Sequence, residues 1–216
     1  MERADLFEAM SRSVIEGEAE VAADLARQAV EGGIDPLEAI DAGFVPGIDH
    51  VGHEFSLENM FLPELVRAGE AMKAAIAVLE PEMQRTGAER EIHGTVVLAA
   101  APGDIHDIGK SLVGTMLAAS GFRVIDMGVD VPIDAVVEKV REVGADIVGV
   151  SALLTTTMLG QRDVIEALRA AGLREQVKVM VGGAPVTPEW ASEIGADGFG
   201  EDAARAVSLA RELVGA

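Results

Sequence analysis

Two hydrophobic patterns divide the chain near its middle. In the first 84 residues, apolar side chains recur every three or four positions, as on one face of an α-helix. From residue 95 onward, short unbroken apolar runs alternate with helical patterns, which is typical of buried parallel strands joined by helices. The change predicts a helical cap domain at 1–88 and an α/β domain at 92–216, with a polar linker at 86–91.

Four helices with short connections are predicted in the first domain, and such helices form a bundle. The first two cover about residues 4–15 and 18–30. The third opens at Asp35-Pro36, an N-cap followed by proline. The fourth begins near residues 56–59 and runs towards Gln84.

Prolines and glycines interrupt the last two of these helices. Gly43, Pro46 and Gly47 predict a kink or a break in the third helix. Pro63 is tolerated near the start of the fourth helix, whereas Pro81 is expected to trim its end. The bundle is therefore expected to be irregular in its third helix.

Five strands alternating with helices are predicted in the second domain, which implies a parallel sheet with right-handed crossovers. The flavodoxin-like strand order is the expected one. The predicted strands are 95–100, 123–127, 146–150, 177–181 and 198–199, and the predicted helices are about 111–120, 132–144, 157–171, 187–194 and 202–214.

The stretch Gly103-Asp104-Ile105-His106-Asp107-Ile108-Gly109-Lys110 joins the first strand to the next helix. Loops of this kind lie at the carboxyl ends of strands, where open α/β sheets bind their ligands. The loop offers one imidazole between two carboxylates, and glycines at both ends let the backbone bend. It is the first candidate for a functional site.

Three interpretations of this loop are open. A phosphate-binding loop is suggested by Gly109-Lys110-Ser111, but the earlier glycine that it needs falls at Asp104, and aspartates repel phosphate. An ordinary turn with a solvated histidine is the second. In the third, His106 is the axial ligand of a metal that a macrocycle already holds, and Asp104 accepts its other ring N–H. A bare zinc ion would need more protein ligands.

Composition narrows the possible partners. The chain carries 17 basic and 37 acidic residues, a formal charge of −20, which argues against nucleic acid and anionic membranes. It has no cysteine, and therefore no disulfide, thiolate metal site or thiol nucleophile. Hydrophobic residues make up 49% and aromatic residues 3%, so the core is expected to be aliphatic. No apolar run of membrane-spanning length or signal-peptide pattern is found, and a cytoplasmic location is expected.

Three motifs together resemble the signature of cobalamin-binding domains. They are Asp104-x-His106-x-x-Gly109, Ser151-x-Leu153 and Gly182-Gly183, and each follows a predicted strand. In that family the cofactor is bound base-off and His-on: benzimidazole leaves cobalt, the loop histidine replaces it, and the nucleotide tail threads into the domain. The resemblance implies these cofactor-binding residues: Asp104, His106 (the metal ligand), Gly109, Ser151, Leu153, Thr155, Thr157, Gly182 and Gly183.

The resemblance also implies individual roles. In the family, a hydroxyl six residues after the first serine of Ser-x-Leu bonds to the motif aspartate, and that position is Thr157 here. Ser151 and Thr155 match positions that contact the nucleotide tail. Gly182 and Gly183 would let a flat heterocycle approach the backbone, although a plain strand-to-helix turn also explains them.

The whole layout resembles one branch of the family, the corrinoid proteins of methyltransferase systems. The run Met60-Phe61-Leu62-Pro63-Glu64-Leu65-Val66-Arg67-Ala68 is similar to the cap helix of that branch and of methionine synthase, whose side chains lie over the upper corrin face. The resemblance assigns that role to Phe61, with Leu65 and Met60 as neighbours. Burial in the bundle core is the alternative for all three.

Other polar residues receive no role in a functional site. Asp107 and Lys110 are expected to be solvated. His50 and His53 lie three positions apart on a predicted helix, but no third or fourth metal ligand accompanies them, so a surface position is expected. His93 is expected to be structural.

The resemblance implies a corrinoid methyl carrier rather than a self-sufficient enzyme. Co(I) would accept a methyl group from a substrate:corrinoid methyltransferase, and methyl-Co(III) would yield it to an acceptor methyltransferase that uses tetrahydrofolate or a thiol. A reductive activator would be a third partner. The network of Asp104 and Thr157 would take up or release a proton as the bond between His106 and cobalt forms or breaks, and would thereby tune the cobalt potential.

Two other functions remain open. One is a sensor or regulator that uses adenosylcobalamin, which shares this layout but normally adds a DNA-binding module. The other is a mutase subunit, in which the cofactor domain lacks a helical bundle or is joined to a catalytic barrel. The upper cobalt ligand, methyl or adenosyl, distinguishes the carrier from both.

Overall fold

A computed structural model of the chain describes residues 3–86 and 92–215, except for the side chain of Ser56. The described residues divide into two compact units, one on each side of the gap. The first unit contains helices, and the second contains strands that alternate with helices. Of the predicted linker, only Thr86 is described, and it is the last residue of a helix. The other linker positions, 87–91, lie outside the described residues.

The first unit consists of helical segments around an aliphatic core. α2 packs extensively along α5, and α1 contacts α2, α4 and the π-helical segment. Met10, Ile40, Phe44, Leu65 and Met72 are among its fully buried side chains. Its elements are α1 (Arg3–Ile15), α2 (Ala19–Glu31), α3 (Pro36–Glu38), a π-helical segment (Ala39–Phe44), α4 (Val45–Ser56) and α5 (Leu62–Thr86).

The predicted kink or break in the third helix is a π-helical segment. The Val45 N–H donates to Ile40 O, five residues back, and α4 follows without an interruption. Pro46 lies in the first turn of α4, where a missing N–H costs least. Gly47 allows α1 to approach closely, because a Cβ atom there would lie 2.4 Å from Ser11 O.

Pro81 does not end the fourth predicted helix, contrary to the sequence expectation. α5 continues through Pro81 to Thr86 and is 25 residues long. Leu79 is fully buried two positions earlier, so packing holds the helix on the core up to the proline. Despite the length of α5, no helix among the described residues is both long and apolar enough to cross a membrane.

The second unit contains a five-stranded parallel sheet in the order β2-β1-β3-β4-β5. This is the flavodoxin-like order, so the predicted fold class is confirmed. Its elements are β1 (Thr95–Ala100), α6 (Ile108–Ala119), β2 (Arg123–Asp126), α7 (Ile133–Val143), β3 (Ile147–Ser151), α8 (Met158–Ala170), β4 (Lys178–Gly182), α9 (Pro188–Ile194), β5 (Gly198–Gly200) and α10 (Ala203–Val214).

The strand register aligns the carboxyl ends of four strands in one row. Ala100 of β1 pairs with Ser151 of β3, which pairs with Gly182 of β4, which in turn pairs with Gly200 of β5. Because all the strands are parallel, the loops that follow these residues emerge at the same edge of the sheet. The three sequence motifs therefore lie side by side.

Candidate functional site

The loop between β1 and α6 places a half-exposed imidazole against a buried carboxylate. Asp104 is 1% exposed, whereas the side chain of His106 is 43% exposed. Asp104 Oδ1 accepts the backbone N–H of His106 at 3.0 Å and lies 2.7 Å from His106 Nδ1. In the neutral ring, the carboxylate favours the tautomer with the proton on Nδ1, which places the lone pair on Nε2. Among the described residues, Nε2 has no hydrogen-bond partner.

The second oxygen of Asp104 joins the first motif to the second. Asp104 Oδ2 accepts the Leu153 N–H at 2.7 Å and the Thr157 hydroxyl at 2.6 Å. Thr157 is itself buried, at the start of α8. The structure thus contains both side-chain hydrogen bonds that the resemblance implies, from His106 to Asp104 and from Thr157 to Asp104.

Asp104 stays ionised despite its burial. Burial raises the pKa of Asp104, but hydrogen bonds from the Thr157 hydroxyl, the His106 and Leu153 N–H groups and the His106 ring outweigh it. Together they hold the pKa of this carboxyl group well below its ordinary value. A proton that enters this network at neutral pH therefore does not reside on Asp104.

Asp130, in the loop between β2 and α7, supports the residues that precede His106. Asp130 Oδ1 accepts the Gly103 N–H at 2.7 Å, and the Asp130 N–H donates to Asp104 O at 2.8 Å. Asp130 adopts a left-handed φ of 48°, which is uncommon for a residue other than glycine. The sequence analysis missed Asp130, because its contact is made 27 positions away from Gly103.

Lys110 is not solvated, which corrects the sequence expectation. It lies in the first turn of α6, and its side chain is 2% exposed. Its Nζ is 2.7 Å from Asp107 Oδ1 and also pairs with Asp126, at the carboxyl end of β2. Hydrogen bonds from Lys110, which contributes more, and from Ser111 hold the pKa of Asp107 below its ordinary value. Asp107 itself is exposed, as expected.

The other predicted positions of the first two motifs lie around this network. Ser151 is half-buried, and its carbonyl accepts the Ala101 N–H at 2.9 Å. Leu153 and Thr155 are exposed in the loop that follows β3. Gly109 is exposed in the first turn of α6, and no atom lies within 4 Å of the position that a Cβ would take.

The two glycines of the third motif are required by local packing. A Cβ atom on Gly183 would lie 1.9 Å from Ala152 O, and Gly183 has a left-handed φ of 121°. A Cβ atom on Gly182 would lie 2.9 Å from Gly200 O. Tight backbone contacts therefore explain both glycines without a ligand.

Gln161 fixes the carboxyl ends of β3 and β4 and was missed in the sequence analysis. It is fully buried, and its Nε2 donates to Val150 O at 2.9 Å and to Gly182 O at 3.0 Å. Its Oε1 accepts the Trp190 indole N–H at 2.9 Å. One signal was available: Gln161 is a polar residue on the apolar face of α8 that carries Ile165 and Leu168.

Five exposed aliphatic side chains lie at this edge of the sheet. They belong to the loops after β1 and β3 and to the first turns of α6 and α8. Clustered exposed apolar residues mark a surface that a ligand or partner covers. These residues are Ile105, Ile108, Leu153, Leu154 and Leu159.

In the first unit, the three predicted cap residues differ in how far they are buried. Phe61 is 64% exposed and precedes α5, and Met60 is half-buried. Leu65 is fully buried in the helical core, which contradicts the prediction that it faces a ligand. It lies on the face of α5 that also buries Ala68 and Met72, so core packing explains it.

The remaining histidines form no metal site within the described residues. His50 and His53 are exposed on α4. His93 packs edge-on against Phe122 with ring centroids 5.7 Å apart, a structural contact. No group of three or more His, Asp or Glu side chains that could hold a metal ion occurs in the described ranges. His106 is thus suited to a metal that needs one protein ligand.

Comparison with known proteins gives a consistent set of relatives. Two family models, both described as B12 binding domain, match residues 94–208 and 6–80. The chain is 44% identical to a corrinoid protein of Desulfitobacterium hafniense, with 97% of this chain and 98% of that protein covered. It is 48% identical to trimethylamine corrinoid protein 1 of Methanosarcina acetivorans, with 90% of each covered.

A solved structure resembles the chain over almost its full length. It is the methanol:cobalamin methyltransferase complex of Methanosarcina barkeri, with a TM-score of 0.86 and 30% sequence identity. The alignment covers 99% of this chain and 81% of that chain. Sequence and structure comparisons therefore point to the same group of proteins.

Proposed function

Since the chain belongs to the B12-binding family of corrinoid proteins, we propose that it carries a methyl group on a bound corrinoid between methyltransferases. The observation that carries the proposal is the state of His106. Its Nδ1 is 2.7 Å from the ionised Asp104, and its Nε2, in a half-exposed ring, has no hydrogen-bond partner among the described residues. This is the arrangement of a histidine prepared for a metal.

A corrinoid fits the residues at this edge. The macrocycle already supplies the equatorial ligands, so one imidazole from the protein is sufficient. The exposed aliphatic side chains at this edge, which include Ile105, Ile108 and Leu154, offer an apolar surface to a large flat ring. We propose that His106 would hold the metal in the base-off, His-on mode.

When bound, the corrinoid supplies a cobalt ion that accepts a methyl group as Co(I) and later releases it to tetrahydrofolate or a thiol. His106 Nε2 is the atom that would hold this metal. Asp104, whose pKa is strongly lowered, stays ionised and can keep accepting the Nδ1–H of His106. Thr157 keeps Asp104 in place.

The other motif residues would contact the rest of the cofactor. Ser151, Leu153 and Thr155, at the end of β3, would lie along the nucleotide tail. So would Gly182 and Gly183, which are half-buried. Gly109 has open space where a side chain would be, which supports a close approach of the ligand. Phe61 is the proposed contact of the first unit with the corrinoid, since it is largely exposed.

The relatives suggest which partners to test first. One relative is a trimethylamine corrinoid protein, and a matching structure is a methanol:cobalamin methyltransferase complex. We therefore propose that a substrate:corrinoid methyltransferase for a methylamine or methanol is one partner. An acceptor methyltransferase and a reductive activator complete the proposed system. The proposed domains are a cap at 1–88 and a cofactor domain at 92–216.

A labelled-methyl experiment tests the carrier function. Apo-protein is loaded with hydroxocobalamin, freed of unbound cofactor by gel filtration and reduced with titanium(III) citrate. It is then mixed separately with purified trimethylamine, dimethylamine and methanol methyltransferases and their carbon-14-labelled donors. We expect the label to elute with the protein for at least one enzyme.

The controls separate failure of the protein from failure of the assay. Trimethylamine corrinoid protein 1, treated in the same way, must become labelled by its own enzyme. If it does and this chain takes no label from any of the three donors, the proposal is contradicted. Preferential retention of adenosylcobalamin over methylcobalamin would then favour the sensor alternative.

A further inference from the structure

The end of β2 and the loop that follows it, residues 126–132, contact the chain on both sides of His106. Upstream of His106, Asp130 bonds to Gly103 and Asp104 at 2.7 Å and 2.8 Å. Downstream, Lys110 joins Asp107 to Asp126, the residue from which the β2–α7 loop departs. The residues before and after His106 are therefore both tied to the end of β2 and the loop that follows it. We call the contacts of Asp130 the upstream anchor and the contacts of Lys110 with Asp107 and Asp126 the downstream anchor.

Both anchors are unfavourable choices for stability alone. A buried ammonium loses its hydration, and its pairing with carboxylates often does no more than balance that loss. Methionine, which has a similar length and no charge, would fill the position of Lys110 without this penalty. Asp130 holds a left-handed backbone conformation that glycine would adopt without strain. Residues of this kind are found where they maintain a functional geometry.

The downstream anchor is a closed network rather than a single ion pair. Asp126 Oδ1 accepts the Gly128 N–H at 2.8 Å as well as Lys110. Asp107 Oδ2 accepts the Ser111 hydroxyl at 2.7 Å, while Oδ1 pairs with Lys110. The residue directly after His106 is thus tied to α6 and to the end of β2.

The two anchors restrict the orientation of the His106 ring, which Asp104 alone does not fix. The 2.7 Å hydrogen bond that Nδ1–H donates to Asp104 fixes one atom of the ring. The direction of Nε2 also depends on the backbone at His106, which is set by the residues before and after it. We propose that Lys110, Asp126 and Asp130 are positioning residues that hold the His106 imidazole in the orientation that cobalt needs. This inference rests on the proposed function and extends it.

The test uses variants that remove each anchor and matched variants that do not. Lys110→Met removes the downstream anchor, and Lys139→Met removes another i,i+3 lysine pair, with Glu142 on α7. Asp130→Gly removes the upstream bond from the side chain and relieves the left-handed strain. Asp130→Asn keeps an acceptor oxygen and tolerates the same φ.

The first readout is the Co(II) EPR spectrum of corrinoid-loaded protein that contains nitrogen-15 histidine. We expect the fraction of cobalt coupled to the labelled nitrogen to fall at least twofold in Lys110→Met and in Asp130→Gly. Lys139→Met and Asp130→Asn are expected to match the wild type. The urea midpoint of Asp130→Gly should stay close to that of the wild type, so unfolding does not account for a lost signal.

The second readout needs no cofactor. Long-range proton–nitrogen NMR spectra of the apo-protein at pH 8 report how far the Nδ1–H tautomer of His106 predominates. We expect this predominance in the wild type and a mixture of tautomers in Lys110→Met and Asp130→Gly. Unchanged His106 signals in both variants would overturn the inference. If wild-type cobalt shows no histidine nitrogen, the proposed function fails, and the apo-protein spectra still decide whether the two anchors position the ring.

Discussion

The loop that carries His106 and the turn at Gly182-Gly183 lie at the same edge of the sheet but are held by different means. Polar side chains fix the first: Asp104 accepts hydrogen bonds from His106, Leu153 and Thr157. Close backbone packing fixes the second, where Gly183 lies against Ala152. Residues of one functional signature can therefore be required for separate physical reasons.

The difference leads to opposite expectations for substitutions. In the His106 loop, the side chains are replaceable without steric conflict, and the chemistry should be lost before the fold. In the Gly182-Gly183 turn, a single added methyl group meets backbone atoms, and the fold should be lost first. Trp190 is the only tryptophan and lies in the second unit, so its fluorescence reports the unfolding of that unit.

The largest loss of stability is expected for Gly183→Ala. The new Cβ would lie 1.9 Å from Ala152 O at a left-handed φ, so the free energy of unfolding should fall by about 4 kcal/mol. Urea titration monitored by Trp190 fluorescence measures the loss. Gly172→Ala is the matched control, because Gly172 also has a positive φ but no atom lies within 4 Å of its Cβ position. Equal losses in the two variants would show that packing does not explain Gly183.

A smaller loss is expected for Gln161→Leu. The substitution leaves Val150 O, Gly182 O and the Trp190 indole N–H without their buried partner, which should cost about 3 kcal/mol. The emission of Trp190 should also shift, since its hydrogen bond is lost. Gln176→Leu is the control, because Gln176 donates to a backbone carbonyl at an exposed position. A change no greater than in this control would refute the role given to Gln161.

Asp104→Asn is expected to cost about 2 kcal/mol at pH 7, because a carboxylate that accepts several hydrogen bonds becomes a neutral amide. The folded-state pKa of Asp104 is lowered, so its contribution is complete above the ordinary value of about 3.9 and is lost as the pH falls below it. The stability difference between wild type and variant should therefore not shrink between pH 8 and pH 5, and should shrink only in stronger acid. Shrinkage above pH 5 would contradict the lowered pKa. Asp24→Asn, at an exposed ion pair on α2, should have little effect at any pH.

The smallest effect on stability is expected for His106→Ala. The ring is nearly half exposed and, among the described residues, its side chain bonds only to Asp104, so the free energy of unfolding should fall by about 1 kcal/mol. The same urea titration checks this value. A loss as large as that of Gln161→Leu would mean that the imidazole belongs to the structural framework of the domain, and the contrast between the loop and the turn would disappear.

The elements that local patterns determine were predictable from the sequence. The apolar run of β1 and its alternation with helical segments indicated a parallel sheet. The loop between β1 and α6 singled out Asp104 and His106, and the resemblance to cobalamin-binding domains added Thr157, whose hydroxyl bonds to Asp104 in the structure. The burial of Lys110 on α6 was not predictable, because its partner Asp126 lies 16 positions away, at the end of β2. The left-handed conformation of Asp130 likewise arises from tertiary contacts.

Local rules also failed where packing overrides them. A proline normally ends a helix, but α5 continues past Pro81 to Thr86. The buried side chain of Leu79 holds this part of the helix against the core. Leu65 matched the cap pattern of related proteins, and its position on the buried face of α5 could be settled only by the packing of the whole unit. The close contact at Gly183 depends on the distance between β3 and β4, which no local pattern encodes.

The Co(II) EPR spectrum of the corrinoid-loaded protein tests the central claim most directly. The wild type, His106→Ala and the surface control His50→Ala are each prepared with nitrogen-15 histidine. We predict that the axial nitrogen coupling follows the label in the wild type and in His50→Ala, and that it is absent in His106→Ala. An axial nitrogen that remains unlabelled in the wild type would come from the benzimidazole of the cofactor, and would contradict the assignment of His106 as the metal ligand.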